Sequence, residues 1–297
     1  MNYWILSISI VVGLINTVLQ NAFSKKRMKG MADCAAFSIL TAFSAAVILF
    51  ITGGTPSLPS PYTVGMGMLF GVVTGSYILL YSAALSAGPL SYTVLIAACS
   101  MLIPTFCGAL FWKESVGWFQ VAGVALLIVA FYFGVNLRKD KRLSPRWLVL
   151  CVMVFLVAGT TGLLQKIHQT SSHKEEINAF LVIAFLTAVL ILGGYYFIGR
   201  RKGQTKSFSL LSRTTAMGIA AGLCLGLHHK MNLYLSGALP SILFFPIMNG
   251  GLILLSSLAG WIVFREKLTR SQIFSLLLGV VAVYLIGNGL DLLVKGF

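Results

Sequence analysis

Apolar runs about twenty residues long follow one another along this chain of 297 residues, with little between them. A run of that length is what an α-helix needs to cross the hydrocarbon core of a bilayer. Within a bilayer every backbone polar group must find its partner inside the protein, which leaves only helices or closed barrels. Runs so long and so continuously apolar select the helix. Ten spans are expected, at residues 3–23, 32–52, 62–86, 90–111, 116–137, 147–165, 177–198, 213–236, 240–264 and 271–290. The longest connection, residues 200–212, is short, basic and polar, so no soluble domain is expected. Composition decides the same point. The chain is 58% hydrophobic and 10% charged, against about 25% charged in a soluble protein, too little charge to cover a water-facing surface.

The formal net charge of +15 would suggest nucleic acid in a soluble chain. Here the basic residues occupy turns between apolar runs, so no nucleic-acid partner is expected. Lys25, Lys26, Arg27 and Lys29 follow the first span, and Arg138, Lys139, Lys141, Arg142 and Arg146 the fifth. Arg200, Arg201, Lys202, Lys206 and Arg213 follow the seventh, and Arg265, Lys267 and Arg270 the ninth. With ten spans these turns share one face, and the positive-inside bias places them in the cytoplasm with both termini outside. The first apolar run lacks a basic leader and a cleavage site and is read as a span. The five cysteines show no metal-ligand spacing and read as inert buried thiols.

The chain repeats itself. Gly67, Gly71 and Gly75 form a ladder in the third span, followed by a Gly88-Pro89 break and a Lys113-Glu114 closure. Half a chain later come Gly218, Gly222 and Gly226, then Gly237 and Pro240, then Arg265-Glu266. The fold class expected is therefore all-α integral membrane, ten transmembrane helices as two inverted five-helix repeats, residues 1–143 and 144–297. Five spans per half is an odd number, so the second copy must lie upside down relative to the first. That arrangement supports alternating access, with a site near mid-membrane between the halves. Glycine at a spacing of four bares one helix face for close approach. The ladders read either as static packing or as a surface along which helices move.

Polar residues within the spans are the candidates for binding solute. His228, His229, Lys230 and Asn232 interrupt the eighth span, with Tyr77 and Tyr81 at the corresponding place in the third. If the eighth helix runs to Ser236 these groups lie at membrane depth, where polar groups usually face a watery cavity. If it ends near Leu227 they form an interfacial belt. Neighbours on a helix are about 100° apart, so His228 and His229 cannot face one cavity together. Gln20, Asn21, Gln165 and Lys166, with His168 and Gln169, lie near helix ends, as caps or as mouths of a pathway. Tyr92, Ser100 and Asn249 complete the set, near Pro104 and Pro246. All seven carboxylates fall at helix ends or in turns. That disfavours cation–proton exchange on a buried carboxylate and leaves histidine as the protonatable group. A cavity holding His228 or His229 with Lys230 would favour an anionic or zwitterionic solute.

There is no GxSxG, HExxH or Walker sequence and no catalytic carboxylate pair, so no enzyme, metal or cofactor is expected. The stretches GPLSYTVLIAACSMLIPTFCGALFWKES and ALPSILFFPIMNGGLILLSSLAGWIVFREKLTRSQ resemble the drug/metabolite transporter superfamily, EamA-like branch. The patch LLQKIHQ resembles small members of that branch from Firmicutes-type bacteria. The resemblance implies a cavity lined by helices one, three, four, six, eight and nine, and a structural role for Glu114 and Glu266. Many members have termini inside and a basic second connection, whereas TGGTPSLPSPYT here carries no charge. The function expected is secondary active transport of a small metabolite or drug-like solute, with proton coupling left open. The setting expected is a bacterial plasma membrane. The lipid bilayer and the solute are its expected partners, and a homodimer is left open. The alternatives are a non-transporting helical scaffold or sensor, and an intramembrane enzyme.

Overall fold

The computed structural model describes residues 2–27, 31–53, 58–88, 90–134, 144–201, 213–265 and 269–294. Among these residues the secondary structure is helical throughout: α1 (Tyr3–Arg27), α2 (Met31–Ile51), α3 (Pro61–Ala87), α4 (Leu90–Cys99), α5 (Leu102–Phe111), α6 (Trp118–Gly134), α7 (Pro145–Gln169), α8 (Ile177–Arg201), α9 (Arg213–Ala238), α10 (Ser241–Phe264) and α11 (Arg270–Val294). Eight stretches are long and apolar enough to cross a membrane, α4 and α5 together supplying one of them. The other two helices fall short for different reasons: α6 has 17 residues, and α9, with 26, carries the His-His-Lys cluster. Large apolar side chains such as Phe50, Leu110, Leu190 and Ile262 are exposed along these helices. Apolar surface on that scale suits lipid and not water.

The fourth span departs from expectation. One helix over residues 90–111 was expected, but α4 stops at Cys99 and α5 starts at Leu102. Pro104 has no N–H to give the Ser100 carbonyl, and its ring crowds that oxygen. The Ile103 N–H bonds the Ser100 carbonyl instead, and the Ser100 and Met101 N–H groups bond the Ala97 and Ala98 carbonyls. All three bonds span three residues, the tighter winding of a 3₁₀ turn. Pro246 by contrast is carried inside α10.

The chain packs as two compact units, Met1–Ala83 with Leu164–Gly237, and Ala84–Leu163 with Ala238–Phe297. In the first unit α2 and α8 meet through small residues: Ala42, Ala45, Ala46 and Ala184 are buried with Leu49, Phe70, Phe180, Leu181, Phe185 and Leu233. Both glycine ladders lie in this unit. A Cβ on Gly67 would sit 2.9 Å from the Phe180 carbonyl oxygen, one on Gly71 would fall onto the Ala184 carbonyl oxygen, and one on Gly75 would sit 3.3 Å from Ile191. The α3 ladder therefore rests on α8. A Cβ on Gly222 would sit 2.5 Å from the Thr41 carbonyl oxygen and from Ser44 Cβ, and one on Gly226 would sit 2.9 Å from Ile48. The α9 ladder rests on α2.

In the second unit α6 pairs with α11. Ser271 and Ser275 donate their hydroxyls to the Phe133 and Ala130 carbonyls, each at 2.6 Å, and Gly123 admits Ile286. Trp147 Nε1–H donates to Thr93 Oγ1 at 2.9 Å, fixing α7 to α4. Glu114 accepts from the Ser241 N–H at 2.5 Å and from its hydroxyl at 3.2 Å. A carboxylate at the first residue of α10 meets orphan N–H groups and the positive end of the helix dipole. The resemblance implied a structural role for Glu114, and this bond gives it one. Through these two bonds the carboxylate reaches the start of α10.

Lys113 (φ 52°) and Arg265 (φ 53°) close α5 and α10 in the left-handed region. That conformation strains any residue with a Cβ. Replacing either by glycine is expected to raise stability by about 1 kcal/mol, read as a higher midpoint of thermal unfolding in detergent. No gain at either position would mean that neither backbone is strained.

Candidate functional site

The helix α9 continues to Ala238, so it does not end near Leu227 and His228 to Asn232 lie within it. Positions 228 and 232 are four apart and share a face. That face meets Ser9 in the apolar run of α1. His228 Nδ1–H donates to the Ser9 carbonyl at 2.8 Å. Ser9 Oγ–H donates to Asn232 Oδ1 at 2.9 Å, and Asn232 Nδ2–H donates to His228 Nε2 at 3.0 Å. The ring closes. A backbone carbonyl can only accept and an amide nitrogen can only donate, so the imidazole is neutral with its hydrogen on Nδ1. Ser9, His228 and Asn232 are all buried. In a span this closed set satisfies polar groups that lipid could not.

His229 goes the other way. Its ring stands edge-on to Phe185 at 5.3 Å and Phe70 at 6.2 Å, and among the described residues its buried Nδ1 has no hydrogen-bond partner. The separation of the two histidines is what the helical angle required. Lys230 is half-buried. Tyr77 and Tyr81 stack at 5.5 Å on α3. On α7, which runs four residues past the expected end, Gln165 and Lys166 are both buried. Gln20 is exposed and donates to the buried Asn16 Oδ1 at 3.1 Å.

Ser100 and Asn249 lie in the second unit, and each bonds a carbonyl three or four residues before it. Ser100 Oγ–H donates to the Ala97 carbonyl at 2.7 Å in the α4–α5 break, and Asn249 Nδ2–H to the Phe245 carbonyl at 2.8 Å beside Pro246. The side chains of Asn21 and Tyr92 lie outside the described residues, as do Pro89, Glu266 and the basic residues at 138–142 and 202–206. The structure thus brings His228 and Asn232 together, and Tyr77 with Tyr81. Three or more His, Cys, Asp or Glu placed to hold a metal do not occur among the described residues.

Sequence reasoning did not find Ser9, nor a second polar cluster at the start of α3. Ser60 precedes the helix and Pro61 opens it, the N-cap serine and first-turn proline that a sequence can signal. Ser60 Oγ accepts from the Thr63 N–H at 3.2 Å. Glu176, in the turn before α8, accepts from the Ser60 N–H at 3.0 Å and from its hydroxyl at 2.9 Å. Burial pushes the Glu176 carboxyl up, but bonds from Thr63 and Ser60 and the nearby His173 outweigh it and hold the carboxyl below the usual range. A lowered folded-state pKa adds stability that is present above the unfolded value, and that is lost as pH falls through the folded one. Glu176→Gln is therefore expected to lower the unfolding midpoint at neutral pH, and the gap to the native protein is expected to close on acidification. A gap that stayed constant with pH would show that ionised Glu176 does not hold α3.

No family model matches this chain and no curated protein does. A solved chain, described as a crystal structure of a protein, superposes with a TM-score of 0.74 at 12% identity, covering 95% of this chain and 97% of that one. The likeness shows the fold. Together with the eight membrane-length stretches, it makes this a multi-pass, largely helical integral membrane protein.

Proposed function

We propose that the protein is a secondary active transporter of a small metabolite or drug-like solute, of the drug/metabolite transporter kind, working by alternating access. In this reading residues 1–143 and 144–297 are two inverted five-helix repeats in a bacterial plasma membrane. The observation that carries it is the reciprocity of the glycine ladders. The third span of the first half rests on the second span of the second half, α3 on α8. The third span of the second half rests on the second span of the first, α9 on α2. Two copies related by a two-fold axis in the membrane plane would exchange partners in this way. The paired positive-φ closures at Lys113 and Arg265 add a second correspondence. Buried polar groups in the apolar helices α1, α7 and α9, among them Ser9, Gln165, Lys166, His228 and Asn232, support a solute path.

The test is flux. Purified protein in liposomes is expected to bind and move one class among amino acids, nucleotides, sugars and cationic dyes, found first by thermal shift and then by uptake. Binding without flux would leave a scaffold or sensor, and chemical turnover without flux an intramembrane enzyme. The topology has its own check. Single cysteines at Lys26 and Lys206 are expected to label from the same side of the membrane, and labelling from opposite sides would end the ten-span reading.

A further inference from the structure

One stripe of α3 runs from a buried phenylalanine beside His229 to a stacked pair of tyrosines. Phe70, Thr74, Tyr77 and Tyr81 are spaced four, three and four apart, so they share one helix face. Met68, Leu69 and Val72 mark the other side of α3 and are exposed. Phe70 closes one end of the stripe, buried against Phe180 and His229. At the other end Tyr77 and Tyr81 keep accessible surface although they point away from the exposed side, so there is room in front of them. Their rings stack at 5.5 Å with 21° between their planes. A third ring between them would need about 9 Å, twice the spacing of a close stacked pair. A solute ring can therefore only extend the stack from outside.

His229 supplies the polar group. Phe185 and Phe70 wall its ring, with their planes at 86° and 83° to it. His229 keeps accessible surface, and Nδ1 is its sealed nitrogen, with no partner among the described residues. A neutral imidazole carries one ring hydrogen. Proteins tolerate a buried acceptor left unused better than a buried N–H left unpaired. The hydrogen therefore sits on Nε2, and His229 offers a donor. Phe70 and Tyr77 are seven residues apart, about 10 Å along α3, so donor and stack stand two turns apart.

The surroundings carry no charge. Among the described residues the titratable group acting on Tyr77 is Tyr81, and the one acting on His229 is His228. Lys230 stands a further 100° round α9 from His229. Aromatic faces repel an anion, an N–H repels a cation, and either ion would be buried without a partner. We propose that Tyr77, Tyr81 and His229 bind an uncharged purine-like base, stacked on the tyrosine pair, with a ring nitrogen accepting from His229 Nε2–H. Two fused rings reach across more of the gap between donor and stack than one ring does. The inference deepens the transporter reading, and rests on it, by naming the solute: the bare base of the nucleotide class in the flux screen. It replaces the anionic or zwitterionic solute expected from pairing a histidine with Lys230.

The test is equilibrium dialysis of radiolabelled adenine against the full-length protein in detergent. Adenine is expected to bind saturably. Indole has the two-ring outline without a ring acceptor, and AMP adds charge, so neither is expected to displace adenine at matched concentration. His229→Phe keeps a ring and removes the donor, and is expected to weaken binding about ten-fold, the upper reach of one hydrogen bond. His229→Gln keeps an N–H and is expected to retain most of the affinity. If His229→Phe does not fold, Tyr81→Leu carries the test, with a loss of about ten-fold from the broken stack. Three results overturn the proposal: no saturable binding of adenine, displacement by indole as readily as by adenine, or either variant binding like the native chain. The two readings fail separately. Flux of another solute without adenine binding removes this site alone, and saturable adenine binding with no flux removes the transporter.

Discussion

Gly71→Ala and Gly222→Ala are each expected to lower the unfolding midpoint of the detergent-purified protein sharply, and the leucine variants are expected not to fold. A methyl on Gly71 lands on the Ala184 carbonyl oxygen with Thr187 Cβ 2.6 Å away. One on Gly222 lands 2.5 Å from both the Thr41 carbonyl oxygen and Ser44 Cβ. Backbone cannot turn aside as a side chain can, so the helices must part. Inserting a methyl into a packed contact costs about 1–3 kcal/mol, and a larger side chain more. The outer rungs are milder. Gly75 would meet Ile191 at 3.3 Å, and Gly218 would meet the flexible end of the Leu40 side chain. Gly193, with open space around it, should gain about 1 kcal/mol as alanine from helix propensity alone. Equal losses at Gly71 and Gly75 would mean that α3 does not seat on α8 through its middle rung.

The second large effect belongs to the ring of Ser9, His228 and Asn232. Asn232→Leu strands His228 Nε2 and removes the acceptor of Ser9 Oγ–H. Leaving buried polar groups unpaired costs about 1–3 kcal/mol. Ser9→Ala is expected to cost less, because His228 Nδ1–H keeps its bond to the Ser9 carbonyl, which the substitution leaves in place. The double variant should fall short of the sum of the two. In membranes such couplings run about 0.6 kcal/mol and reach about 1.7. Strict additivity in thermal unfolding would mean that the three groups do not act together. In the transport assay both Asn232→Leu and His228→Ala are expected to lose flux, since the ring holds α1 to α9.

What the sequence made legible follows from the range of each signal. The ladders were plain because a spacing of four is local and the two copies support each other. The depth of His228 and Asn232 depended on where α9 ends, which composition left open because the polar cluster itself lowers the apolar signal there. Pro104 and Pro246 look alike as letters, yet only the first breaks its helix. Ser9 gave no signal, since a serine in an apolar helix usually bonds a carbonyl of its own helix. Its partners lie 219 and 223 residues away. Glu114 accepts from Ser241, 127 residues away, and Glu176 from Ser60, 116 away. Charge is visible in a sequence, but its partner at that distance is set only by packing.

The two ladders share a profile with a mechanical meaning. Carbonyl oxygens crowd the middle rung most closely on each, at Gly71 and Gly222, and the helices stand further apart at Gly75 and Gly226. A pair of rods pressed together at one point partway along has a fulcrum there. Tilting about it changes the gap at the ends while the closest contact is kept. α3 on α8 and α9 on α2 would each be a small see-saw, with its pivot built from residues that have no side chain to catch.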